Sequence, residues 1–138
     1  MKALIILFVL WAAMASAQTV TIDPTTIDFL PSADHYETNL DGTYVVAKYQ
    51  FDAVPMNGIG TIVSIDLQRP SLNSAGHIVV DLSAALSTIT PNVTYTATVS
   101  AIGQPGTTPG VSLPSNPFAR AGTPKAPAAP TSVRVIKP

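Results

Sequence analysis

The 138-residue chain contains no cysteine. Disulfide staples, thiolate metal sites and cysteine nucleophiles are thereby excluded, and a folded domain must hold together through its apolar core alone. Charge is sparse: Asp, Glu, Lys and Arg make up 11% of the residues and the net charge is −1. Nothing in that total points to nucleic acid. Histidine occurs twice, at His35 and His77. Two imidazoles without thiols rarely make a structural zinc site, and both are expected to be exposed loop residues. No Gly-x-Ser-x-Gly elbow singles out a serine nucleophile, and paired carboxylates for glycoside hydrolysis need a deeper cleft than a small β-domain offers. The expectation is a non-catalytic chain with no cofactor and no metal. Glu37-x-Asn39-x-Asp41-Gly42 does imitate the first half of a calcium loop. Lys48 stands at the twelfth position, where the bidentate acid belongs, so a solvated turn is the better reading of Asp34, Glu37, Asn39 and Asp41.

Long apolar runs are missing too, except at the start. Met1-Lys2 precedes an uncharged stretch from Ala3 to Ala17 that closes on Ala15-Ser16-Ala17. This reads as a secretory signal peptide cleaved after Ala17, because the run is shorter than the ~20 residues of a membrane span. No cysteine follows it to carry a lipid. The expected location is therefore outside the cell, at its surface or in a periplasm, with no membrane span after cleavage.

What is present is alternation. From Val93 to Ala101, Val93, Tyr95, Ala97, Val99 and Ala101 share one face while Thr94, Thr96, Thr98 and Ser100 share the other. That period of two predicts a half-buried strand, and its β-branched threonines suit a pleated surface. Ile89-x-Pro91-x-x-x-Tyr95 leads into it. This spacing predicts a tyrosine corner, in which the phenol hydroxyl bonds backbone upstream and ties two sheets together.

Other strands are expected at Thr19–Ile22, Ile27–Leu30, a long one with Val45, Ala47, Tyr49, Phe51 and Ala53 inward, Thr61–Leu67, His77–Ser83, and Val111–Arg120. Pro114 and Pro117 mark the last as an edge or bulged strand, since proline donates nothing to a ladder. Asp41-Gly42 predicts a tight turn and Asn57-Gly58 a primed hairpin turn. Ser83–Thr88 has room for one helical turn. About seven short strands with frequent turn signals make an all-β, immunoglobulin-like antiparallel sandwich over residues 18–120.

Residues 121–138 read differently. Ala121-Gly122-Thr123-Pro124-Lys125-Ala126-Pro127-Ala128-Ala129-Pro130 is an extended linker of polyproline character, and Thr131–Pro138 then alternates like a strand. Charge divides the same way. Residues 18–119 hold Lys48 and Arg69 against all eight acids, a net −6, whereas Arg120, Lys125, Arg134 and Lys137 give 120–138 a net +4. The contrast is compatible with a solubilising end or with docking.

Ile89-x-Pro91-Asn92-x-Thr94-Tyr95-x-Ala97-x-Val99-x-Ala101, the glycine-rich loop from Gly103, and Ser115-Asn116-Pro117-Phe118 together resemble the fibronectin type III family, in particular its bacterial secreted members. Ala97 stands where an immunoglobulin domain has its second cysteine. Phe29 occupies the place of that family's strand-B tryptophan, and the loop at Gly103–Gly110 carries no Arg-Gly-Asp. The resemblance implies a secreted binding, adhesion or spacer module whose partner is an extracellular protein or a glycan. Because recognition on such scaffolds sits in connecting loops, Asp34, His35, Tyr36 and Glu37 are the candidate binding residues. A structural subunit of a surface, virion or appendage assembly, self-associating through residues 131–136, is the alternative. A small carbohydrate-binding module using Tyr36 or Tyr44 is a third.

Overall fold

A computed structural model of the protein describes residues 18–122. Residues 1–17, on which the expected signal peptide falls, and residues 123–138, on which the expected terminal strand falls, lie outside the described residues. Across the described residues the protein is all-β with little helix. Its elements are β1 (Thr21–Ile22), β2 (Thr26–Phe29), a 3-10 turn (Ala33–Tyr36), β3 (Lys48–Pro55), β4 (Val63–Gln68), β5 (Ile78–Asp81), a single-turn α1 (Ser83–Leu86), β6 (Thr94–Ile102), β7 (Gly110–Val111) and β8 (Phe118–Ala119).

β6 lies at the centre of the larger sheet. It pairs antiparallel with β3 from Lys48↔Ile102 to Pro55↔Tyr95, and its other edge takes β7 and β8. β4 closes the far side of β3, with a register shift between Tyr49 and Gln50, and β1 adds to β8 in parallel. The order is β1-β8-β6-β3-β4. β2 and β5 form a separate antiparallel pair, Thr26↔Asp81 to Phe29↔Ile78.

The inward side chains of both sheets meet in one core. Tyr49, Phe51, Ile78, Ile89 and Tyr95 are its largest fully buried members. Phe29 of β2 meets Tyr49 of β3 edge to face, with ring centroids 5.4 Å apart. Each fully buried isoleucine or phenylalanine contributes about 1.5–3 kcal/mol.

Three local expectations are corrected. The long strand begins at Lys48, so the period of two does not extend to Val45 and Ala47; Val46 enters the core and Ala47 is exposed. At Asn57-Gly58 only the glycine has positive φ (73°), and its N–H donates to Pro55 O at 3.2 Å. A primed type I turn would need positive φ at both residues, so this is an ordinary turn closed by a left-handed glycine. The final strand is broken into β7 and β8.

Between those two pieces the arm from Ser112 to Pro117 stays on β6 through serines. Ser112 N–H donates to Val99 O (2.9 Å) while its Oγ accepts from Val99 N–H (3.0 Å). Ser115 repeats the arrangement at Ala97, at 2.8 and 3.0 Å. The hydroxyls replace the carbonyls that a regular strand would offer, which leaves Leu113-Pro114 free to bow outward, with Leu113 88% exposed. Ser115→Ala is expected to cost about 1–2 kcal/mol by stranding the part-buried Ala97 N–H. Urea unfolding measures this; an unchanged midpoint would mean that water replaces the hydroxyl.

Candidate functional site

The loop that carries the candidate binding residues is built by local capping. Ser32 Oγ accepts from Asp34 N–H and opens the 3-10 turn. Farther on, Asp41 Oδ1 accepts from both the N–H (2.9 Å) and the hydroxyl (2.7 Å) of Thr43. Gly42 takes φ of 82°, and a bridge between Thr38 and Tyr44 closes the hairpin. The Thr43 hydroxyl, with its backbone N–H, also holds the Asp41 carboxyl below the usual carboxylate value.

His35 is not an exposed loop histidine. It is 2% exposed and lies against the core. Its Nδ1 is 2.9 Å from Tyr49 Oη, which also accepts from Ser32 N–H at 3.1 Å. The phenol oxygen thus bonds both the imidazole and the Ser32 N–H, the donor in the first of these being set by the imidazole tautomer. The two rings are stacked with centroids 5.8 Å apart, and Tyr36 meets the imidazole edge to face. Burial, reinforced by the nearby Arg69 guanidinium, lowers the His35 pKa; burial raises that of Tyr49.

Arg69, just beyond β4, completes the anchor. One guanidinium nitrogen donates to His35 O, and the guanidinium carbon lies 3.6 Å from the centroid of the Tyr44 ring. Arg69 Nε is buried without a hydrogen-bond partner. Stacking on Tyr44 therefore accounts for part of what holds this cation in place. The sequence offers no local signal for this contact, since Arg69 lies 34 positions from His35.

Of the four candidate residues, Asp34, Tyr36 and Glu37 face solvent and His35 faces inward. Tyr36 is 70% exposed, with Asp34 two positions before it and Glu37 directly after it in sequence. An exposed ring between two acceptors can stack and hydrogen-bond a ligand, but no nucleophile is paired with a base here. Among the described residues no group of three or more His, Asp or Glu side chains is arranged to hold a metal ion. His77, the other histidine, sits half-exposed with Nδ1 2.6 Å from Asp28 Oδ1.

At the opposite corner Ile89 and Tyr95 are buried and Pro91 is exposed. Tyr95 Oη accepts from Thr90 N–H at 3.1 Å, and Thr90 Oγ1 accepts from Thr61 N–H at 3.0 Å. One phenol thus fixes the turn entering β6 and, through Thr90, the loop that follows β3.

The neutral buried His35 gives stability a pH dependence with a definite sign. As pH falls below the ordinary imidazole value of 6.5, the unfolded chain takes up a proton that the folded ring resists. The contribution is complete above that value and is lost as pH falls through the window below it. Asp66 (held down first by the Lys48 hydrogen bond) and Asp81 (by the Ser83 hydroxyl) act only below the usual carboxylate value of 3.8. The melting temperature should therefore fall between about pH 7 and pH 5 in the wild type, and fall less in His35→Gln. Equal slopes would remove His35 as the source. Compared with protein-family models, with curated proteins and with solved structures, the chain matches none.

Proposed function

We propose that residues 18–120 form a fibronectin type III-like β-sandwich that works outside the cell as a non-catalytic binding, adhesion or spacer module. The observation that supports this reading is the pairing pattern. Among the described residues β2 pairs with β5 alone, while β4, β3, β6 and β8 run side by side with β1 parallel to β8. In the immunoglobulin-like arrangement these are strands B and E on one layer and C′, C, F and G on the other. The corner at Tyr95, at the start of the sixth strand, fits the same scheme.

Recognition on this reading belongs to the 31–44 loop. His35, Tyr49 and Arg69 hold it from beneath, and Asp34, Tyr36 and Glu37 present a ring and two acceptors to an extracellular protein or a glycan. A rigid aromatic loses little entropy on binding, which makes Tyr36 the anchor. The experiment is binding of the wild type and of Tyr36→Ala to arrays of glycans and of extracellular proteins. Binding by the wild type that is lost in Tyr36→Ala at unchanged melting temperature supports the loop as the site. No binder on either array, or equal binding by both forms, overturns it.

A second reading, a structural subunit that assembles through residues 131–136, gains support from the β2 edge, which is paired on one side only among the described residues. Mass that rises with concentration in light scattering would favour it.

A further inference from the structure

We propose that residues 131–136 of this chain add themselves as a strand to the open edge of β2, in cis, and fill the groove beside it. The inference does not rest on the 31–44 loop being a recognition site.

The edge is defined by the ladder. Leu82 N–H donates to Thr25 O at 2.7 Å, and the partners of β2 are Ile27↔Val80 and Phe29↔Ile78. Antiparallel pairing alternates, so Ile27 and Phe29 direct their N–H and C=O toward β5, and Thr26 and Asp28 direct theirs away from it. Among the described residues no backbone bond meets those of Thr26 and Asp28. Such an edge is a template for another strand.

Beside that edge runs a groove of about 420 Å³, bounded across from β2 by the serine-held arm. Phe51, Ala97, Val99 and Phe118 reach its floor, and Leu113 stands on its rim. An apolar slot next to unpaired backbone calls for an extended segment with alternate apolar side chains. Thr131-Ser132-Val133-Arg134-Val135-Ile136 has that pattern. With Val133 and Val135 turned into the groove, Arg134 falls on the outer face, the face that carries the exposed Asp28 carboxylate. The charge contrast between the −6 body and the +4 terminal segment acts in the same direction. Pro130 precedes the added strand, where its missing N–H costs nothing.

The linker selects the same copy. Ala121 N–H donates to Asp23 Oδ1 (2.9 Å) and Gly122 N–H to Asn92 Oδ1 (3.0 Å), so the chain leaves the body beside Asp23, three residues before β2 begins. Three residues of backbone reach about 10 Å. The eight residues 123–130, extended by three prolines, span roughly 25 Å. A tether of that length gives an effective concentration on the order of millimolar, well above that of a second copy in dilute solution. Entry at the Thr26 end makes the added strand parallel to β2.

The test uses the exported chain, which has no cysteine of its own. In Asp28→Cys/Arg134→Cys the two outer-face positions of adjacent strands fall within disulfide reach. An intramolecular disulfide in a monomer is expected; predominant disulfide-linked dimers would overturn the assignment to the same copy. Amide exchange supplies the second readout. Thr26 and Asp28 should exchange about tenfold or more slowly in the wild type than in Val133→Asp/Val135→Asp. Ile27 and Phe29, bonded to β5, should stay protected in both and so report an intact fold. Equal exchange at Thr26 and Asp28 in the two proteins would overturn strand addition altogether.

Discussion

Tyr95→Ala is expected to lower the stability of the folded chain by about 3–5 kcal/mol. Domains of this size are stable by only about 5–15 kcal/mol, so this one substitution should bring the protein close to unfolding at ordinary temperature. The ring is fully buried and stacked on Phe118 with centroids 6.0 Å apart, and the hydroxyl accepts from Thr90 N–H. Tyr95→Phe isolates the hydroxyl, at about 1–2 kcal/mol. Gly60 offers a sharper check. A Cβ there would stand 2.6 Å from the Tyr95 hydroxyl, on a backbone with φ of 146°. Gly60→Ala should therefore destabilise strongly in the wild type and less in a Tyr95→Phe background, where the obstructing oxygen is gone. Urea unfolding of the four proteins measures the coupling; additive effects would show that the hydroxyl does not fix the position of that loop.

The second large effect is expected at Tyr49. Its hydroxyl serves two partners at once, the imidazole of His35 and the N–H of Ser32. Tyr49→Phe leaves both without it in a part-buried place, a cost of about 1–3 kcal/mol. The loss should be local in its first expression: faster amide exchange and proteolysis within 31–44 while β3 and β6 stay protected. Arg69→Ala should release the same loop from its other side, by removing the stack on Tyr44 and the bond to His35 O, with about 0.5–2 kcal/mol from the stack. If Tyr49→Phe leaves loop exchange unchanged, the hydroxyl does not anchor it.

Strands are legible in this chain wherever alternation runs for several residues on a surface buried on one side. β6 is expected at Val93–Ala101 and observed at Thr94–Ile102, β5 lies within its expected segment, and β2 and β4 each overrun theirs by one residue, at Thr26 and Gln68. The pattern misleads where the ladder stops. Val45 and Ala47 keep the apolar phase of β3 but precede its first paired residue, so tertiary packing rather than pleat decides that Val46 goes inward. The arm at 112–117 is a different failure. Its prolines advertise an irregular edge, but nothing in composition says that serine hydroxyls will stand in for strand carbonyls.

The anchor beneath the 31–44 loop is the least legible part. Aspartate, histidine, tyrosine and glutamate in a row read as a solvated surface, and three of the four are one. His35 turns inward because Tyr49 and Arg69, 14 and 34 positions along, supply its partners. No local window contains that information. The corner at Ile89, Pro91 and Tyr95 is legible for the opposite reason: its hydroxyl and the N–H it receives lie five positions apart.

The pairing of β3 with β6 bears on how quickly the native state is reached. Its partners are 40 to 54 residues apart along the chain, and every one of them must be brought together by closing a long loop. Among the described residues, α-helical neighbours that could form early and shorten the search are limited to the single turn of α1. Folding should accordingly take milliseconds to seconds rather than microseconds. A mutation that strengthens β3 or β6 alone, without their mutual register, should slow unfolding more than it speeds that search.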